Sequence, residues 1–364
     1  MIATRDLREL ASFTAVKAPV LSLYLDTDLS RNPKDQVKLT LRDLLERGRE
    51  MDAPAEDLQQ VARYVDLEYD WQGKGLILFS CLADGLWQPL PVPVPVRSEV
   101  YVGDKPYLMP LSNLLDEYEP YGVALVSQEG ARLFLIDMGG IVREQDTIGE
   151  PVKHHKQGGW SAPRFQRHME KHADANLRAA AEATARFCNA HGCTRLILAG
   201  TEENTAHFLD LLPTQLRQAV VGTMSVDANA PDSTVVERSR EILANLEEQR
   251  ELELVERAIG LKHAGGPAVT GLADTLLALQ EGRVLTLLVE DGFVAPGYVC
   301  PDCDYLSIDE SEHCLFCGAA NARPVRNIVE RAVHKALQQG ARVEVVRAGT
   351  ALGAAGRIGA LLRY

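Results

Sequence analysis

The chain reads as a mixed α/β protein in three domains, and three observations predict this. Short apolar runs of strand length alternate with stretches of helical spacing from end to end. Two interruptions divide the chain, one before Tyr118 and one at Gly265-Gly266-Pro267. Four cysteines in two Cys-x-x-Cys pairs are confined to the last part, between Cys300 and Cys317. The expected domains are therefore 1–117, 118–262 and 263–364, with the middle one a three-layer α/β unit. The last is a small α/β sandwich with a ribbon inserted at 300–317.

The elements follow in order. Val20 to Leu25 is a short apolar strand, and Val37, Leu41, Leu44 and Leu45 give Asp35 to Arg49 a helical face. A second helix runs from Ala55, after Pro54, to about Tyr69. Gly75 to Cys81 is a buried strand, and the prolines between Pro89 and Val96 make that segment an extended edge or linker, because proline has no N–H for a central ladder. Gly122–Val126 and Ala131–Ile136 flank a Glu129-Gly130 turn, a hairpin signal, and Ile141–Thr147 supplies a third strand. A long helix, Arg164 to about Ala190, precedes a strand at Arg195–Ala199. Pro231 begins a charged helix that continues through Arg257, its charges read most simply as a solvated face. Beyond the glycine pair, helix Leu272–Gln280, strand Val284–Val289, helix Val325–Gln339 and strand Arg342–Val346 alternate.

Length and composition set bounds. At 364 residues the chain is long enough for two or three cores, and 46% hydrophobic with 24% charged residues is globular composition. The opening MIATRDLREL has no apolar leader, and no run approaches the roughly 20 apolar residues that span a bilayer. The expected location is cytoplasmic, with no membrane partner. A net charge of -13 argues against coating with nucleic acid but not against one local contact. Nothing matches a P-loop, a dinucleotide fingerprint or a Ser-His-Asp order.

Seven cysteines do not suggest a disulfide framework. Cys300-Pro-Asp-Cys303 and Cys314-Leu-Phe-Cys317 stand ten residues apart, and two such knuckles supply four thiolates for one structural Zn²⁺. His313 is a bystander, and Cys81, Cys188 and Cys193 are core or helix-packing residues.

The densest positive charge lies at Lys153–His172, with Lys153, Lys156, Arg164, Arg167 and Lys171, four histidines and the single acid Glu170. Gly158-Gly159 let the backbone approach another surface closely, and Trp160 follows them. A helix begins near Ser161, with Pro163 in its first turn. Such a basic tip on an acidic chain suits contact with a polyanion at one place. The expected RNA contacts are Lys153, His154, His155, Lys156, Gly158, Gly159, Trp160, Arg164 and Arg167, with Arg178 at a compatible spacing. Two readings compete at several of these positions. The helix face either points to phosphate or is simply solvated, and Trp160 either stacks on a base or packs as a lid. The histidines His154, His155, His168 and His172 also invite a second metal, but no matching carboxylate or thiol stands near them.

GGWSAPRFQR, Gly158–Arg167, resembles the GGQSALRFARLR signature in the middle domain of the eukaryotic and archaeal class 1 peptide-release factors. VLSLYLDTD near the start is similar to that family's SLYIP strand, the segment Val100–Asp137 to its first inter-domain stretch, and VTGLADTLLALQEGRVLTLLV, the cysteines and IGALLRY to its third domain. The resemblance covers nearly the whole chain in order. It departs from the family at one place that matters, since Trp160 stands where the family has the Gln that places the hydrolytic water. An indole has one N–H donor and no acceptor, so it cannot reproduce that role. The family's Asn-Ile-Lys-Ser stop-codon motif is also missing, and Asn32-Pro33-Lys34-Asp35 is no equivalent. What remains resembles the bacterial branch of the release factor/Pelota superfamily, which includes Balon-like ribosome hibernation factors.

The resemblance implies a non-hydrolytic, ribosome A-site-binding translation factor that serves hibernation or rescue. Its N-terminal domain would face the decoding site and its basic loop the peptidyl-transferase centre. The C-terminal domain would contact ribosomal protein or a translational GTPase such as elongation factor Tu. Off the ribosome the chain is expected to be a monomer. The alternatives are a release factor or peptidyl-tRNA hydrolase that works without the Gln, and an RNA-binding protein or nuclease unrelated to the ribosome.

Overall fold

A computed structural model describes residues 4–149 and 162–364. They form two compact units, Tyr118–Glu247 and a second assembled from Met1–Glu117 with Glu248–Tyr364. The first division falls at 117/118. The second falls at 247/248, inside a continuous helix, and the unit it bounds combines the first and last segments of the chain.

The segment up to 117 runs α1 (Thr4–Ser12), β1 (Val20–Asp26), α2 (Lys34–Glu50), α3 (Ala55–Leu67), β2 (Gly75–Cys81), β3 (Leu86–Val92), β4 (Glu99–Gly103) and α4 (Met109–Glu117). Its sheet is antiparallel in the order β3-β2-β1-β4. Leu21, Leu23 and Leu25 of β1 alternate toward Leu76 and Leu78 of β2 and toward Val37, Leu41 and Leu44 of α2, so the period-2 and period-3.6 stripes meet in one core. Pro89 and Pro91 sit on β3, at the sheet edge, where a missing N–H costs no ladder bond.

The middle unit runs β5 (Tyr121–Ser127), β6 (Gly130–Asp137), β7 (Gly140–Ile148), α5 (Ala162–His191), β8 (Leu196–Gly200), α6 (Glu202–Leu211), α7 (Thr214–Gln218), β9 (Val220–Ser225) and the first half of α8 (Asp232–His263). The five strands lie in the order β7-β6-β5-β8-β9, with β5-β8 and β8-β9 parallel. Ala124, Val126 and Leu198 face Leu177, Ala181, Phe187 and Phe208 of α5 and α6. Val123, Leu125 and Ile197 face Val235 and Leu243 of α8 on the opposite side. Helices thus cover both faces, the three-layer arrangement expected. Arg195, buried at the start of β8, bridges Glu119 at 3.1 Å and Glu247, which ties the first and last residues of this unit together.

The rest of the chain continues with β10 (Ala268–Thr270), α9 (Leu272–Gln280), β11 (Val284–Glu290), β12 (Gly297–Val299), β13 (Leu306–Ser307), β14 (Arg323–Val325), α10 (Ile328–Gln338), β15 (Arg342–Val346), α11 (Ala351–Ala354) and β16 (Ile358–Leu362). One sheet has the order β10-β16-β11-β15, and β13-β12-β14 form a separate small one. Val255 and Ala258 from the second half of α8 pack with Leu288, Val346 and Leu361, so part of the charged helix is core rather than solvated face. The helix expected from Val325 starts at Ile328. Arg323–Val325 instead pairs with β12, and the Asn327 side chain accepts from Val329 N at 3.2 Å, capping the helix there.

Helix α10 is buried over its whole length, charged residues included. Glu330 accepts from the Leu108 amide at 2.6 Å, and Arg331 pairs with Asp104. His334 lies between two backbone carbonyls, Ala11 O at 3.1 Å and Pro106 O at 2.6 Å, with Glu330 at 3.5 Å. These bonds fasten the first segment to the last within one unit.

Candidate functional site

Two features carry chemistry, and the cysteine ribbon is the better defined. Its central strand, β12, opens at Gly297, where a Cβ would come within 2.4 Å of Ile328 and 2.8 Å of Ser307 O. Only glycine lets the ribbon lie this close to α10. The two knuckles have the same backbone pattern. Cys300 N donates to Tyr305 O at 2.9 Å and Asp304 N to Cys300 O at 2.8 Å, while Cys314 N donates to Ala319 O at 2.7 Å and Gly318 N to Cys314 O at 2.8 Å. The residue after each second cysteine is left-handed, Asp304 at φ 54° and Gly318 at φ 79°. Gly318 was legible as a turn residue; Asp304 was not.

All four Sγ atoms lie within 4.8 Å of one another. Cys300–Cys317 and Cys303–Cys314 are each 3.6 Å apart. Tetrahedral coordination with Zn–S bonds of about 2.3 Å puts sulfurs about 3.8 Å apart, so the two 3.6 Å pairs match it and the remaining distances, up to 4.8 Å, need only a small closure. The Phe316 amide points at Cys314 Sγ from 3.4 Å. Burial raises the Cys314 thiol, but the amides of Cys317 and Phe316 with the neighbouring thiols of Cys303 and Cys317 outweigh it and bring it down to about 7, while burial and the neighbouring thiols push Cys303 up to about 12. Among the described residues no other group of three or more candidate ligands lies this close, and His313 stays outside the cluster. Cys81 is buried with its thiol on Ala18 O, and Cys188 is buried on α5, as expected of packing residues.

The second feature is the basic stretch between β7 and α5. Lys153, His154, His155, Lys156, Gly158, Gly159 and Trp160 lie outside the described residues, as do the side chains of Arg164, Arg167 and His168. The backbone of Arg164 and Arg167 belongs to the first turns of α5. The structure fixes how the strand delivers the chain there. Ile148 pairs with Gly130, and Gly149 N donates to Glu129 O at 2.6 Å. A Cβ on Gly149 would fall 2.0 Å from Asn176 Oδ1, and Asn176 in turn donates to Gln128 O at 3.2 Å. This glycine–asparagine contact sets the exit of β7 against α5, and sequence spacing gave no sign of it. Arg178 does not extend the basic face freely. Its Nε is 2.8 Å from Asp174, which His207 also approaches at 3.2 Å, and the Arg178 hydrogen bond holds the Asp174 carboxyl below its ordinary range. Lys171 is exposed.

Among the described residues no helix is long and apolar enough to cross a membrane. The family described as Bacterial archaeo-eukaryotic release factor family 10 matches residues 106–244, nearly the whole middle unit. A peptide chain release factor subunit 1 from Thermococcus onnurineus is 26% identical over 309 residues, covering 77% of this chain and 74% of its own. The protein of the same name from Methanocaldococcus jannaschii is 30% identical over 228 residues, covering 59% and 54%. Among solved structures, Pelota from Archaeoglobus fulgidus aligns over 100% of this chain and 92% of its own, at 15% identity and a TM-score of 0.35. By sequence the chain is similar to peptide chain release factors over most of its length, and its middle unit matches a bacterial family of release-factor type.

Proposed function

We propose that this protein occupies the ribosomal A site as a release factor or tRNA does, but without hydrolysing peptidyl-tRNA, and so serves hibernation or rescue of idle ribosomes. The observation that carries the reading is Trp160, which follows the Gly158-Gly159 pair in a release-factor-like chain. An indole cannot accept the hydrogen bond that positions a water, and its bulk suits stacking on a base or ribose instead. The charge layout supports the same contact, with five cations between Lys153 and Lys171 on a chain of net charge -13.

The four thiolates hold one Zn²⁺ in this reading, through Cys300, Cys303, Cys314 and Cys317. With all four positions taken by sulfur no site is left for water, so the metal's part is to brace the ribbon. Leu315 and Phe316, 78% and 62% exposed between the second pair of ligands, then face outward for a protein contact. A ribosomal protein or a translational GTPase such as elongation factor Tu is the partner this suits.

Two measurements test the proposal. In peptide-release assays on programmed ribosomes, no peptide is expected at stop or sense codons; robust release would establish the peptidyl-tRNA hydrolase reading in its place. In sedimentation with 70S particles, replacing Lys153, Lys156, Arg164 and Arg167 with Ala should weaken binding and flatten its salt dependence. Trp160→Ala should cost about 1–3 kcal/mol with little change in salt slope, since stacking releases no counterion. Failure of the parent protein to sediment with ribosomes at any salt would overturn the reading.

A further inference from the structure

A cleft in the unit formed by the first and last segments lies between β4, the ribbon strand β14 and the first turn of α10, and encloses about 320 Å³. That is at the lower end of the range for small-ligand pockets. Lys105 lines it, and its side chain is the anomaly. The residue is only 7% exposed, yet its ammonium makes no hydrogen bond or ion pair among the described residues. Buried ammonium groups are almost always paired, because leaving one desolvated is costly. Burial pushes the Lys105 pKa down, and only the more distant Asp304 carboxylate counteracts it.

Further lining residues have the same sign. Arg323 and Arg326 stand exposed at the rim, and neither has an ion-pair partner among the described residues. The acids of the cleft are mostly engaged. Asp104 is taken by Arg331, and Glu330 accepts from the Leu108 amide. Asp52 at the outer edge and the buried, unpartnered second oxygen of Glu330 are the remaining acidic groups beside Lys105, Arg323 and Arg326. The lining thus holds four cations and three acids, on a chain of net charge -13.

We propose that this cleft binds a small phosphate-bearing ligand, its phosphate received by Lys105 at the bottom and by Arg323 and Arg326 at the rim. A phosphate rather than a carboxylate fits because its charge and tetrahedral oxygens can engage an ammonium and two guanidinium forks together. A terminal phosphate suits the half-open cleft, because its extra charge meets the buried Lys105 and the two rim arginines better than a phosphodiester does. The ligand is then a free nucleotide or the phosphorylated end of an RNA. This inference does not rest on ribosome binding.

The experiment uses the full chain in phosphate-free buffer, with calorimetric titration and thermal unfolding. The probes are inorganic phosphate, adenosine 5′-monophosphate, adenosine, and a short oligouridylate with and without a 5′-phosphate. Phosphate and the monophosphate should bind and raise Tm, while adenosine should do neither. Binding of the phosphorylated oligomer with no response to the monophosphate assigns the site to RNA ends, and the reverse assigns it to free nucleotides. Lys105→Met should weaken binding about tenfold or more, while its Tm without ligand stays level or rises, because a costly buried charge is gone. The double substitution Arg323→Ala, Arg326→Ala, at exposed positions with no structural duty, should weaken binding several-fold and reduce its salt dependence. Equal affinity for adenosine and its monophosphate, no binding by any phosphate probe at millimolar concentration, or unchanged affinity in the double variant would overturn the proposal.

Discussion

The cysteine ribbon and the buried face of α10 touch the same unit but are built in opposite ways. The ribbon gathers its four ligands from 18 consecutive residues, each knuckle closed by its own backbone bonds. Glu330 and His334 of α10 find partners more than 220 positions away, at Leu108 and Ala11. The first cluster is a local code, in which spacing alone specifies the product. The second exists only when the two ends of the chain are folded together. Polar groups with local partners can be read from a sequence, whereas polar groups with remote partners look like surface until the fold is known.

The largest effect should come from the ribbon. Metal analysis should give about one zinc per chain, and structural zinc in small domains contributes about 10–16 kcal/mol of apparent binding energy. Chelation or Cys303→Ser should therefore unfold residues 297–325, with fast hydrogen exchange there and unchanged protection in the middle unit. An unaltered melting profile in metal-free protein would remove the metal from the picture. Next is Glu330→Ala, which strips a buried partner from His334 and from the Leu108 amide. Leaving the buried Leu108 amide without its acceptor costs about 1–3 kcal/mol, so the urea midpoint should fall more than for a surface Glu→Ala. A loss below about 1 kcal/mol would make this contact no stronger than an exposed pair.

The smallest effect is a pH slope at a third cluster of remote partners. Burial and then the neighbouring Asp116 carboxyl push Glu344 from 4.5 up to about 8, against the pull of Arg250 and Arg342. The folded state keeps a proton that the unfolded chain has released, so this contribution is complete below about pH 4.5 and is lost as pH rises toward 8. Glu344→Gln should remove a slope of up to about 1.4 kcal/mol per pH unit. An identical pH profile in the variant would show that Glu344 is ionised throughout.

Most of the regular structure was legible. Gly75–Cys81, Leu272–Gln280 and Arg342–Val346 have the bounds their apolar patterns predict, and the expected hairpin forms with its turn at Gln128-Glu129, one residue before the predicted Glu129-Gly130. The four cysteines stand together as their spacing predicts. Elements without a periodic signal were missed, including α1, β4 and the two-residue strand β13. They are short and depend on neighbours for their burial. The charges of α10 were illegible for a different reason. Glu330 and His334 at i, i+4 look like an exposed helical pair, and nothing local marks them as 2% and 1% exposed. Gly149 was equally silent, because the atom it must avoid belongs to Asn176, 27 positions on.

The reach of α10 has a consequence for the order in which the chain is made. Residues 118–247 are contiguous and can close their core as soon as they emerge, but Leu108 and Glu330 are separated by 222 positions. At synthesis rates of about 5–20 residues per second, that separation lasts roughly 10 to 45 seconds. Throughout it, the carbonyls of Ala11 and Pro106 and the carboxylate of Asp104 have no partner to meet. The N-terminal segment must wait, wetted and open on one side, until nearly the last residues have left the ribosome that builds it.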